Sequence, residues 1–578
     1  MSPERPGWFA VEAFAPPGTR YRFVLDDGAR VPDPASRSQA DDALGWSLVA
    51  DPLRYHWRFP RFVGPPWSEA VLYEIHVGTF TPEGTYAAAA TRLPHLADLG
   101  VTMVELMPLA TFAGRRGWGY DGVLLFAPHP DYGAPDDLKA FIDAAHGFGI
   151  SVMLDVVYNH FGPVGNVLPR LAPIFTDRHR TPWGDGLDLD GAASREVRRL
   201  VIDNALYWLA EYRFDGLRLD AVHALRDDSQ VHLLHELAGR IHAEIRDRPV
   251  RLVVENGDND PGLLAPGLFD AQWNDDLHHG LHVTVTGEGG GYYADYLEAE
   301  TSERPALARA VAEGFVRRGE GGPSPLADEP VSAELPPQSF VAFLQNHDQI
   351  GNRPFGDRLS ATVEPGPLRA ATAIVMLGPQ IPLMFMGDEW AATAPFPFFG
   401  EFAGEVADMV RDGRRAEFDG IAGFGDAAVE IPDPASEETF ASARLDWSEW
   451  DREPHRERLH WTRRILEVRR AEVAPLIPRI AGGGRFLRHG PGRFDVAWTV
   501  EEGGRLVLEA NLAADPSDRG GVAGSRSIWI EGTATSGRLG PWSVAVSVDD
   551  PRPQAQRDAS TVRSSASDRT ASGSFVPV

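Results

Sequence analysis

Val152-Met153-Leu154-Asp155-Val156-Val157-Tyr158-Asn159-His160 and Gly216-Leu217-Arg218-Leu219-Asp220-Ala221-Val222-His223 are the stretches from which the fold can be read. Each is a short β-rich run that passes from aliphatic residues into polar ones. Between them, residues 196–211 place Val197, Leu200, Val201, Ala205, Leu206, Trp208 and Leu209 at helical spacing. Strand, helix, strand implies parallel pairing with a right-handed crossover. Working outward, the same alternation runs over residues 68–390. The strand candidates are 70–80, 102–109, 151–160, 215–224, 251–256, 269–275, 339–348 and 382–390; helix-like stretches such as 87–99, 137–148 and 230–246 lie between them. Eight such units predict an α/β protein built on a (β/α)8 TIM barrel with insertions. No Gly-x-Gly-x-x-Gly follows the first run, which counts against a dinucleotide-binding open sheet.

The flanking chain reads differently. Residues 1–60 contain β-like runs such as Tyr21-Arg22-Phe23-Val24-Leu25 before the turn Asp26-Asp27-Gly28, too few for a full sandwich of about 100 residues. They are expected to form a partial N-terminal β-sandwich module. Residues 61–478 are expected to hold the barrel with its insertions, ending in a last helix at 456–470. Runs at 485–487, 494–500, 505–511, 527–531 and 542–548 alternate apolar and polar residues around Gly-rich turns, so 479–549 is expected to be a C-terminal antiparallel β-sandwich domain. The Ser/Arg/Asp/Pro-rich residues 550–578 read as a disordered tail.

Composition excludes several function classes. The net charge of −28 over 578 residues argues against nucleic acid and against an anionic membrane as partner, and suits a neutral substrate. With no cysteine, thiolate zinc sites, disulfides and cysteine nucleophiles are excluded. The N-terminus lacks the basic and apolar segments of a signal peptide, and the longest apolar stretch, 370–386, is broken by Gly378-Pro379-Gln380 and Pro382. A soluble cytoplasmic protein is expected. The acids form no calcium-loop spacing, so neither metal nor cofactor is expected.

In such a barrel the functional groups sit at the carboxyl ends of the strands. Side chains alternate along a strand, so Arg218 and Asp220 share the inward face while Leu217 and Leu219 turn to the helices. A guanidinium beside a carboxylate favours its ionised form, as a carboxylate nucleophile needs. Leu252-Val253-Val254-Glu255 ends an apolar strand in a glutamate with no arginine adjacent in sequence, which suggests a general acid with a raised pKa. Asn346-His347-Asp348 supplies a third carboxylate beside a histidine. Each acid alone is cheap in a chain this acidic; converging on one mouth, paired carboxylates are the equipment of glycosidic bond chemistry. Trp118-Gly119-Tyr120-Asp121-Gly122, with Tyr73 and His76 near the first strand, offers aromatic faces that suit pyranose rings and need no charge.

Asp155–His160, Gly216–Asp220, Glu255 and Asn346-His347-Asp348 resemble the four signature blocks of the α-amylase superfamily (glycoside hydrolase family 13), in the right order on the third, fourth, fifth and seventh strands. The resemblance implies Asp220 as nucleophile, Glu255 as general acid/base and Asp348 as transition-state stabiliser. Tyr120, His160, Arg218 and His347 match positions that hold the sugar in the −1 subsite. Tyr73, Trp118, Asp121, His223 and Asn346 complete the candidate substrate-binding set. Val31-Pro32-Asp33-Pro34-Ala35-Ser36-Arg37, Leu72-Tyr73-Glu74-Ile75-His76-Val77-Gly78-Thr79-Phe80-Thr81 and Trp273-Asn274-Asp275-Asp276-Leu277-His278-His279 are less widely shared. They are similar to a branch whose members cleave the α-1,4 bond next to a terminal α,α-trehalose unit, which implies a maltooligosyltrehalose or α-glucan oligosaccharide substrate. Two features depart from the pattern: the short N-terminal module, and Asp188 where the family has asparagine.

The implied reaction is retaining, with the Asp220 and Glu255 carboxyls about 5–5.5 Å apart. A glucan branching transferase or another α-glucan hydrolase of the superfamily shares the first half-reaction and remains the alternative from the four blocks. A non-catalytic glucan-binding barrel would have shown itself by loss of one of the three acids.

Overall fold

The short runs become the staves of a closed barrel. In the computed structural model, which describes residues 1–5, 8–302, 304–317, 332–418, 431–520 and 524–549, the strands are β1 (Leu72–Ile75), β2 (Met103–Leu106), β3 (Ser151–Val156), β4 (Gly216–Leu219), β5 (Arg251–Val254), β6 (Ala271–Trp273), β7 (Phe340–Phe343) and β8 (Ile381–Phe385). They pair parallel in chain order, and β8 closes on β1 through Leu383 opposite Leu72 and Phe385 opposite Glu74.

Alternation sorts each strand into two faces. Tyr73, Ile75, Val104, Leu106, Val152, Leu154, Leu217, Leu219, Leu252 and Val254 turn outward into the layer between barrel and helices. Leu72, Met103, Met153, Val253, Ala271, Val341, Ile381 and Leu383 turn inward and fill the barrel, with Trp67 joining them. Nearer the carboxyl ends the inward positions become polar: Glu74, Glu105, Asp155 and Arg218 are all buried. The apolar plug thus carries a charged floor, and the site stands on that floor.

The outer helices include α1 (Leu93–Leu99), α2 (Pro135–Gly147), α3 (Ser194–Glu211), α4 (Leu233–Glu244), α5 (Asp275–Thr286), α6 (Ala306–Glu313), α7 (Pro365–Leu377) and α8 (His455–Val468). On α3 the expected stripe is buried at Val197, Val201, Ala205, Trp208 and Leu209 and half-buried at Leu200 and Leu206. The stretch 87–99 is not one helix. A turn at Tyr86–Ala90 stops and α1 restarts with Pro94 in its first turn, because proline offers no N–H and its ring crowds the preceding turn.

The C-terminal module is antiparallel throughout. β9 (Arg485–Gly490), β10 (Arg493–Val500), β11 (Gly504–Asn511), β12 (Arg526–Glu531) and β13 (Ser543–Asp549) take the order β9-β10-β11-β13-β12, with a two-stranded ribbon of Ser517–Asp518 and Arg538–Leu539 beside them. Glu531 ties the sheet to the barrel, accepting from Arg369 of α7 and from the indole of Trp461 of α8, both at 2.8 Å. At the other end, short paired strands such as Arg20–Tyr21 with Ser47–Leu48 and Phe23–Val24 with Arg30–Val31 lead to a segment anchored on buried Asp143, which accepts from Tyr55 Oη and the Arg58 and Phe59 amides. The tail expected at 550–578 lies outside the described residues. Among the described residues no helix is long and apolar enough to cross a membrane.

Candidate active site

Arg218 organises the barrel mouth. Standing inward on β4 and almost wholly buried, its Nη1 donates to Asp155 Oδ2 of β3 (2.7 Å) and to Asp220 Oδ1 (2.8 Å), and its Nη2 donates to Glu255 Oε2 after β5 (2.8 Å). The Trp273 ring of β6 lies 4.1 Å from the guanidinium carbon. Burial pulls the arginine's pKa down, but Asp155, Glu255, Tyr120 and Asp220 together drive it well above its ordinary value, so the cation is permanent.

Asp220 and Glu255 therefore converge on one guanidinium. Asp220 accepts a further bond on Oδ2 from Asn159 Nδ2 (2.8 Å). Glu255 accepts on Oε2 from the Ala221 amide as well (2.9 Å). Ala221 sits in the left-handed region (φ 40°, ψ 51°), uncommon for a residue with a Cβ, and this turn aims its N–H back at Glu255. No arginine adjoins Glu255 in sequence, yet Arg218 stands beside it in space. β4 and β5 are hydrogen-bonded neighbours with Leu219 opposite Val254, so an arginine distant in sequence sits beside it.

Asp348 enters from the short helix after β7. Asn346 caps that helix, its Oδ1 accepting from the Asp348 and Gln349 amides at 3.0 Å, while Asn352 Nδ2 donates to Asp348 Oδ1 (2.8 Å). Burial raises the pKa of Asp348, with His347 acting the other way. Asp275, following β6, is raised well above its ordinary range by burial and by Glu255 and Asp348, a further acid in the mouth that the sequence motifs do not single out.

The remaining candidates divide. Tyr120 Oη donates to Asp155 Oδ2 (2.6 Å) and its ring stacks on His347 at 5.1 Å. Burial pushes Asp155 up to about 7, partly opposed by Arg218. His160 stacks on Trp183 at 4.4 Å, with its pKa lowered to about 4 by burial, so it is neutral near pH 7. Asp121, pushed up to about 6 by burial, lies in the same loop as Tyr120. His223 Nδ1 accepts from the Gly257 amide at 3.0 Å, beside the turn after Glu255.

Three substrate-binding expectations need correction. Tyr73 faces the helices, fully buried, its hydroxyl donating to Glu389 (2.9 Å) and accepting from the Gly387 amide; strand parity sends its neighbour Glu74 inward instead. Trp118 is 6% exposed, bonded to Pro397 O, stacked on Phe396 and edge-on to His347, so it anchors its own loop against the loop after β8. Asn346 is fully buried as a helix cap, its side chain turned to the Asp348 and Gln349 amides. Asp188, the departure from the family pattern, accepts from the Gly191 amide and closes a turn.

A closed parallel barrel whose mouth gathers one arginine and three strand-end acids is that of an α-amylase-type glycoside hydrolase. Residues 38–168 match the α-amylase catalytic domain, and residues 481–546 match a domain of unknown function (DUF3459). A crystal structure described as a putative α-amylase from Salmonella typhimurium superposes with a TM-score of 0.86 at 45% identity, covering 92% of this chain and 91% of that one. Malto-oligosyltrehalose trehalohydrolases of Deinococcus radiodurans and Arthrobacter ramosus are 43% and 44% identical, covering 88% and 87% of this chain and 83% and 90% of their own. The chain belongs to the malto-oligosyltrehalose trehalohydrolase family.

Proposed function

We propose that this protein is a retaining glycosidase of the cytoplasm that cleaves the α-1,4 bond next to the terminal trehalose unit of maltooligosyltrehalose and releases trehalose. The observation that carries the mechanism is the shared guanidinium: Arg218 holds Asp220 and Glu255 toward one space, as a sugar attacked from one side and protonated from the other requires. Asp220, oriented by Arg218 and Asn159, attacks the anomeric carbon. Glu255 has Oε2 committed to two donors, so its Oε1 carries the proton to the glycosidic oxygen. Once the leaving trehalose departs, the Glu255 carboxylate takes a proton from water, which hydrolyses the glycosyl-enzyme and restores both acids. Asp348 and the permanent cation of Arg218 face the oxocarbenium-like transition state.

Incubation with maltooligosyltrehalose should give free trehalose, and D220N should lose roughly 10³-fold or more of kcat. New α-1,6 branches on amylose without trehalose release would replace this reading with a transferase. Near-normal turnover of D220N would remove Asp220 from its role.

A further inference from the structure

Glu74 lies in the stretch Leu72–Thr81, to which the mechanism above gives no task. It stands inward on β1 in the charged floor, 1% exposed. Both its oxygens are given to one residue: Oε2 accepts from the His347 amide (3.0 Å), and Oε1 meets His347 Nδ1 in a short contact. The Tyr120 ring stacks on the imidazole, Trp118 meets it edge-on at 5.4 Å, and Trp273 approaches to 6.1 Å. With its backbone N–H and Nδ1 spent on Glu74, the nitrogen that His347 can offer a ligand is Nε2.

We propose that Glu74 is a positioning residue of the glycosidase site, clamping His347 so that Nε2–H is a fixed hydrogen-bond donor to the sugar in the −1 subsite. This deepens, and rests on, the glycosidase reading above. The charge follows from the groups around the ring. Burial alone pulls the imidazole down, but the Glu74 carboxylate and its hydrogen bond outweigh that, Asp348 adds to them, Arg218 opposes them, and the net direction is upward. His76, the other histidine near the ring, is pulled down to about 4 by burial and stays neutral. On β2, Glu105 pairs in register with Glu74; it is fully buried, neither of its oxygens has a hydrogen-bond partner among the described residues, and burial raises its pKa well above the ordinary value. The imidazolium then has Glu74 as a dedicated counter-ion, and its proton on Nδ1 is fixed by the clamp.

The test is E74Q, which keeps shape and removes charge. On maltooligosyltrehalose its kcat/KM near pH 7.5 should fall at least about ten-fold, carried by kcat more than by KM, and its alkaline limb should move down by about one unit or more, with activity recovering below about pH 6. A folded E74Q whose kcat and kcat/KM at pH 7.5 stay within about two-fold of the unaltered enzyme would overturn the proposal. A second reading uses the unaltered enzyme: with ring nitrogens labelled, the Nδ1–H proton of His347, identified by its loss in H347N, should resonate far downfield and persist to pH 7. A His347 ring found neutral at pH 6 refutes the clamp whether or not E74Q folds. Trehalose release by the unaltered enzyme is scored separately, and the imidazole signal needs no substrate, so failure of the activity reading and failure of the clamp are told apart.

Discussion

At the scale of single residues, the barrel mouth is a problem in charge placement, and parity along each strand solves half of it. Arg218 and Asp220 inward with Leu217 and Leu219 outward follows from a period of two. The same rule applied to β1 turns Glu74 inward and sends the aromatic Tyr73 outward to the helices. Glu105 shows what burial does with a surplus acid: next to Glu74 and Asp155 it is pushed well above the carboxylate range. Its folded-state pKa exceeds the unfolded one, so folding is helped least where the unfolded chain gives up that proton. The penalty grows as pH rises above about 4.3, toward the folded value. E105Q removes the penalty. Its melting temperature relative to the unaltered protein should climb between pH 5 and pH 8; a gap constant over that range would mean Glu105 holds no such proton.

At the scale of elements, the loop Trp118-Gly119-Tyr120 does the positioning that no strand does. Gly119 has φ +104°, and a Cβ there would come 2.2 Å from Pro108 O. G119A must therefore shift the loop and part Tyr120 from Asp155 and from the His347 ring. We expect a loss of about 1–3 kcal/mol in stability and at least about a ten-fold drop in kcat/KM, measured by denaturant unfolding and steady-state kinetics. A variant with both values unchanged would show the loop to be free of this constraint. The aromatic-glycine pattern is visible in sequence, but that Tyr120 stacks on His347 while Trp118 meets it edge-on, held by Phe396, Phe398 and Pro397 from a loop after β8, is not.

At the scale of the whole molecule, burial of neutral histidines makes the fold acid-sensitive. His76 and His160 are lowered to about 4 and His279 to about 3, all by burial first. The unfolded chain takes up those protons near pH 6.5 while the folded chain does not, so the stability they allow is full above about 6.5 and is lost as pH falls toward 4. The melting temperature should drop steeply over that window, and a flat profile from pH 6.5 to 4 would contradict the burial of these rings in solution.

What this sequence determined by itself is local: eight β-rich runs with polar carboxyl ends, helical stripes between them, and acids at 220, 255 and 348 spaced along the chain as one family spaces them. Period and spacing are properties of a single strand or helix, and they survive without neighbours. Closure of the barrel decided the rest. Which residue stands beside Glu255, and that Glu74 should meet His347 across 273 residues of chain, depends on strand register and on the joining of β8 to β1. Those are distances in space between segments whose sequences carry no record of each other, and only packing into one ring brings their charges within reach.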